Sequence, residues 1–169
     1  MNPLGHESFW TYSGPNLIQE EIGRAGSQTG RVYQYAYNGL NQRTAVYRLN
    51  DQDNAVLWQS AAYDSEGRVL FETNALDFVT EYEYNNIGNV TNVLDSYGGT
   101  TTYGYDAWGN VTSVVNAAGV VTQMRYDYLQ RVTNRVEAVG LAEQRSASYR
   151  YNARGQIIQT IQPDGSSTY

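Results

Sequence analysis

Between residues 78 and 84 the chain alternates: Phe78, Thr80, Tyr82 and Tyr84 fall on one side of an extended backbone, Glu81 and Glu83 on the other. Side chains two apart share a face of a strand, so this period predicts a β-strand with one apolar and one polar side. The pattern recurs at Val120, Thr122, Met124 and Tyr126 against Gln123 and Arg125, at Tyr103 and Tyr105, and at Tyr33, Tyr35 and Tyr37. The runs last about five or six residues and end in Gly, Asn or Asp, the length and punctuation of antiparallel hairpins. The expected fold is therefore all-β, an antiparallel meander of about a dozen strands with an aromatic-rich face and a polar face. Such a layer buries its apolar side only by curling, closing or meeting another layer.

The runs are organised by an internal repeat. Tyr followed by Asn or Asp stands at Tyr37, Tyr63, Tyr84, Tyr105, Tyr126 and Tyr151, at intervals of 26, 21, 21, 21 and 25 residues. Four residues after the tyrosine comes Gly67, Gly88, Gly109 or Gly155, with Asn41 and Gln130 as exceptions, and two further on Val69, Val90, Val111, Val132 or Ile157. A second turn signal follows eleven residues after the tyrosine, at Asn74, Asp95 and Asn116, with Gly98 and Gly119 three residues later. Asp64, Asp106, Asp127, Asn85 and Asn152 are placed to accept from backbone amides in the first turn, and the glycines to take positive φ. Residues 1–169 read as a single array, with units anchored at Tyr12, Tyr37, Tyr63, Tyr84, Tyr105, Tyr126 and Tyr151. The array opens at a mid-unit turn, Asn2-Pro3-Leu4-Gly5, and stops within a returning strand, the phase expected of a slice from a longer series. The extra residues in 37–63 and 126–151 predict longer hairpin loops near Asp51–Asn54 and Leu141–Arg145.

Composition sharpens this picture. Tyr and Gly occur 16 times each, against 3 Phe, 2 Met and 3 Trp, and tyrosine suits a pleated, half-buried surface. The net charge is −6 and every one of the 11 basic residues is Arg. With no basic stripe, phosphate neutralisation has no foothold, so nucleic acid is not an expected partner. There is no cysteine for a disulfide or a thiolate metal site. The first dozen residues lack the charged and apolar regions of a signal peptide, and no apolar run is long enough to insert in a membrane.

Candidate chemistry is sparse. Asp64, Asp106 and Asp127 occupy equivalent turns on successive units and alternate with Asn85 and Asn152. An amide abolishes acid–base catalysis but preserves a turn, so the position calls for geometry and no catalytic residue is expected. His6 has no second His or Cys with which to share a metal, and nucleotide and serine-hydrolase signatures are missing, so no metal or cofactor is called for. Asn89 and Asn110 begin two Asn-Val-Thr triplets, which the repeat itself accounts for. The tryptophans leave one alternative open. By alternation Trp58 lies opposite the tyrosine face and Trp108 sits in a turn, where either could stack on a sugar ring.

The phrases YDSEGRVLFETN (63–74), YDAWGNVTSVVN (105–116) and YNARGQIIQTIQPDG (151–165), with the opening NPLGH, resemble YD repeats. These are the units of bacterial RHS proteins, of the cocoon-forming components of insecticidal toxin complexes, and of teneurins. The resemblance implies a curved strip of a larger β-shell, non-enzymatic, that encloses a C-terminal toxin or passenger in a bacterial protein exported or held at the cell surface. Its structural positions would be Tyr37, Tyr63, Asp64, Gly67, Tyr84, Gly88, Tyr105, Asp106, Gly109, Tyr126, Asp127, Tyr151 and Gly155. The implied partners are the remainder of a longer RHS-type polypeptide and its passenger, with self-association through β-edges expected of the piece alone. A carbohydrate-binding or cell-surface adhesion module is the alternative. The Asp-Pro-rich core that follows the repeats in that family has no counterpart here, since the sequence contains no Asp-Pro pair.

Overall fold

The computed structural model describes residues 7–24 and 30–169; the opening turn at residues 2–5 and His6 lie outside them. Every described element is a β-strand. The first six are β1 (Glu7–Ser13), β2 (Asn16–Arg24), β3 (Arg31–Tyr37), β4 (Arg43–Leu49), β5 (Ala55–Tyr63) and β6 (Val69–Asn74). Then follow β7 (Val79–Tyr84), β8 (Val90–Leu94), β9 (Thr100–Tyr105), β10 (Val111–Val115) and β11 (Val121–Tyr126). The last are β12 (Val132–Glu137), β13 (Arg145–Tyr151), β14 (Ile157–Ile161) and β15 (Ser167–Thr168). Neighbours in the sheet are neighbours in sequence, from β1 to β15. The all-β antiparallel meander is thus the observed fold, with 15 strands where about a dozen were expected.

Two compact units divide the chain at Glu81 and Tyr82, inside β7. In the first, the buried apolar side chains are Val32, Ala45 and Val46; in the second, Ala138 alone is below one-tenth exposed. Among the described residues no large side chain is fully buried. A one-layer sheet has nowhere to put one. Cohesion must come instead from ladder hydrogen bonds, from cross-strand side-chain pairs, and from the turns.

The extra residues of 37–63 go into strands rather than a loop. β4 and β5 run for 7 and 9 residues, while Asn50 to Asn54 make the same tight turn found elsewhere, with Asn50 N donating to Asn54 O at 3.0 Å. One of the added residues, Trp58, makes a bulge, where the pairing shifts between Val46↔Gln59 and Tyr47↔Leu57. That bulge reverses the expected side of Trp58. Arg48 is the direct neighbour of Tyr33, and its guanidinium lies 5.7 Å from the Trp58 ring, so Trp58 stands on the tyrosine face. In 126–151 a longer connection does form. Residues 138–144 make two successive turns, closed by Leu141 N to Ala138 O at 3.0 Å and Gln144 N to Leu141 O at 3.1 Å.

Candidate functional site: the tyrosine and Asx turn

Most of the described hairpin tips are built from one five-residue design. At Asp106 the backbone N–H donates to Asn110 O at 3.0 Å, and Gly109 N–H returns to Asp106 O at 3.2 Å. The Asp106 carboxylate then accepts from Trp108 N at 3.0 Å and Asn110 N at 2.9 Å, satisfying the two amides that the turn leaves over. Asp64 does the same for Glu66 and Arg68, and Asp127 for Leu129 and Arg131. Asn85 and Asn152 do it as amides. The mid-unit turns at Asn74, Asp95 and Asn116 share this wiring. For the backbone bonds a carboxamide serves as well as a carboxylate, because one acceptor oxygen takes both amides; the second oxygen of Asp64, Asp106 and Asp127 takes a side-chain donor.

The fourth residue of the turn must enter the left-handed region, and Gly67, Gly88, Gly109 and Gly155 do so at φ between 81° and 90°. Where the glycine is missing the backbone keeps the same shape, with Asn41 at 60° and Gln130 at 61°. The turn chemistry overrides the side chain.

Electrostatics follow the same hydrogen bonds. Asn110 Nδ2, donating to Asp106 Oδ2 at 2.9 Å, leads in holding the Asp106 carboxyl below its ordinary range. Arg131, at 2.6 Å from the carboxylate of Asp127, does so there. For Asp64, desolvation pushes upward, and the Arg68 and Glu66 hydrogen bonds outweigh it to leave the group lowered. Asp106 and Asp127 line one open cavity with Trp108 and Tyr128, but each carboxylate is engaged by the donors of its own turn: Asp106 by Trp108 and Asn110, Asp127 by Leu129 and Arg131. Among the described residues no cluster of three or more His, Asp or Glu could hold a metal ion.

The tyrosines carry a role that spacing alone did not disclose. Tyr126 Oη donates to Val111 O at 2.7 Å, Tyr105 Oη to Val90 O at 2.6 Å, and Tyr151 Oη to Val132 O at 2.6 Å. Tyr63 reaches Arg43 O and Tyr37 reaches Leu17 O, both at 2.8 Å. For four of the five, the acceptor is the residue six places after the preceding repeat's tyrosine; Leu17, five after Tyr12, is the exception. In these five cases the last side chain of a returning strand is therefore pinned to the start of the strand it pairs with, at the first residue in four of them and at the second in β2. A signal for this existed in the sequence: the slot always holds Tyr and never Phe, so the hydroxyl matters as well as the ring.

A second link runs between turns. Arg131 pairs with Asp127, lies 4.5 Å from the Tyr151 ring centroid, and donates to Asn152 O at 3.3 Å. Gln42 similarly donates to Gly67 O at 2.9 Å. The remaining sequence candidates are dispersed: Trp58 is 45% exposed in β5 of the first unit, and Trp108 is 77% exposed in a turn of the second. Asn110 of the second Asn-Val-Thr triplet spends its amide on Asp106, and Asn89 Nδ2 of the first is buried.

The family described as Teneurin YD-shell matches residues 19–169. The chain belongs to the teneurin YD-shell family. No curated protein matches it significantly. Solved structures share the YD-shell fold at low identity. The chain superposes on the Photorhabdus luminescens Tc holotoxin pore with a TM-score of 0.76 at 16% identity, covering 97% of this chain and 9% of that one. On the TcdB2-TccC3-Cdc42 crystal structure the TM-score is 0.77 at 17% identity, covering 95% and 9%. On TcdB2-TccC3 it is 0.75 at 17%, covering 95% and 10%. This YD-shell chain spans at most a tenth of the length of those chains.

Proposed function

We propose that the chain is a non-enzymatic wall segment of an RHS-type β-shell that encloses a C-terminal toxin or passenger domain carried in the same longer polypeptide. The observation that supports this best is the tie from five of the repeat tyrosine hydroxyls to the preceding repeat, in a sheet with almost no buried core. Such a sheet is strong along its own plane and adds repeats without needing a second layer. That is the property a container wall requires. Asp64, Asp106 and Asp127 serve this wall as turn formers. The edge strands β1 and β15 offer unpaired backbone to the remainder of the polypeptide or, in the isolated chain, to a second copy. The test is limited proteolysis of the passenger within the full polypeptide, with and without deletion of residues 63–126. Slow digestion that the deletion makes as fast as that of the naked passenger supports the reading; equal rates from the start refute it.

A second reading, a carbohydrate-binding or adhesion module, is favoured by the half-exposed tryptophans on the tyrosine face of the first unit.

A further inference from the structure

Two hairpin tips of the second unit, residues 106–110 between β9 and β10 and residues 127–131 between β11 and β12, flank an open cavity of about 490 Å³. Trp108 lines it from one tip and Tyr128 from the other, and both are largely exposed. Met124 and Tyr126 line it from the sheet, with the Tyr126 hydroxyl 3.8 Å from the Met124 sulfur, so both stand on one face of β11. The turns themselves need neither ring. Glu66 and Arg154 take the place of Trp108 in other repeats, and Ser65 and Ala153 that of Tyr128. Successive tips on one edge stand two strand spacings apart, about 10 Å, so a cation between them falls inside the roughly 6 Å over which an aromatic ring attracts it.

Asp106 gives this cavity its charge. Asp127 is paired with Arg131, whereas Asp106 accepts only from amides: Trp108 N, Asn110 N and Asn110 Nδ2. No ion pair among the described residues cancels it. Burial, and after it the Asp106 charge, raise the Tyr126 phenol, so that charge is felt on the floor of the cavity. The three amides also occupy three of the roughly four acceptor positions of the carboxylate. What is left on offer is negative charge beside aromatic faces, with little capacity for new hydrogen bonds. Arg125 borders the cavity too, but it follows Met124 on β11 and its side chain leaves from the opposite face.

We propose that this cavity binds a quaternary ammonium ion of the choline type. Such a cation donates no hydrogen bond from its nitrogen, so the occupied acceptors are no obstacle to it. A guanidinium or a primary amine arrives with donors that the site leaves unpaired. The methyl groups pack on Trp108, Tyr128 and the Met124 thioether, and Asp106 supplies the counter-charge. The site goes beyond the wall reading and stands apart from it, since passenger protection and choline binding can fail separately.

The test is titration of the full chain with choline chloride at constant ionic strength, followed by the indole N–H signals in heteronuclear NMR. The Trp108 signal should move and saturate in the millimolar range, while those of Trp10 and Trp58 stay in place. For variants, binding is read on the choline methyl resonance. Trp108→Ala and Tyr128→Ala should each weaken it about fivefold, the scale of one cation–π contact, and Tyr97→Ala, in a turn at the other edge of the same unit, should leave it unchanged. Neohexyl alcohol, the uncharged isostere with carbon in place of nitrogen, should bind at least about fivefold more weakly than choline. Asp106→Asn, which keeps the backbone bonds of the turn, should weaken choline by a similar factor and leave the isostere unaffected. Phosphatidylcholine vesicles separate two sources of the group: co-sedimentation assigns a membrane headgroup, and binding of choline alone assigns the free cation. An unmoved Trp108 signal, equal binding of the isostere, or an Asp106→Asn protein that binds choline as well as the parent would overturn the proposal.

Discussion

Removing one hydroxyl tests the central claim about the wall. Tyr126→Phe keeps the ring and its packing but deletes the bond from Tyr126 Oη to Val111 O at 2.7 Å. The ring is only part-buried, so water can reach the freed carbonyl, and the loss is that of an ordinary net hydrogen bond, about 1 kcal/mol. Burial and the nearby Asp106 charge keep the Tyr126 hydroxyl protonated well above the usual phenol range, so the donor is present throughout the neutral region. In a chain of this size that loss corresponds to a fall of about 2–4 °C in Tm. Tyr128 supplies the control: it sits two residues away and is 90% exposed, so Tyr128→Phe should move stability by less than about 0.5 kcal/mol. Because each tie joins one repeat to the next, Tyr105→Phe should cost a similar amount and the pair should add to about 2 kcal/mol. Urea denaturation followed by circular dichroism reads the total, and amide exchange on β10 and β11 reads the local loosening. If Tyr126→Phe is as stable as the parent, or if Tyr128→Phe costs as much, the hydroxyls are ornaments of the repeat and the tie is not what holds it.

Three further outcomes are expected. Gln130→Gly should stabilise the chain by about 0.5–1 kcal/mol, since a left-handed glutamine costs about 1–2 kcal/mol and glycine returns part of that gain as entropy; calorimetry checks it. Asp106→Asn should keep both backbone bonds of the turn and lose only the bond from Asn110 Nδ2, whereas Asp106→Ala should lower the melting temperature further, because two backbone amides also lose their acceptor; thermal melts rank the three proteins. Acid should weaken the fold: Asp64, Asp106, Asp127 and Asp164 all have carboxyls lowered in the native state, so their stabilisation is complete above the unfolded carboxylate range near about pH 4 and is lost as pH falls through the lowered native values. A melting temperature that is flat from pH 5 to pH 2 would contradict this.

The turns were legible because each closes within five residues. An acceptor side chain, two amides and a left-handed position define it, and no distant part of the molecule is consulted. The meander was legible for a related reason, since adjacent hairpins of fixed length leave each strand its sequence neighbours as partners. Two things resisted. The partner of a tyrosine hydroxyl lies 15 to 20 residues away, and which carbonyl it meets depends on register across a whole hairpin. The face of Trp58 depended on a bulge. Alternation by twos holds only while pairing stays in step, and the shift between Val46 and Tyr47 carries the indole to the tyrosine side, next to Arg48. Sequence by itself determined where the chain turns and how often, because those are local conformational preferences. Only the tertiary structure decided what the tyrosines hold and which face Trp58 takes, because hydrogen bonds and ring contacts are set by the register between strands.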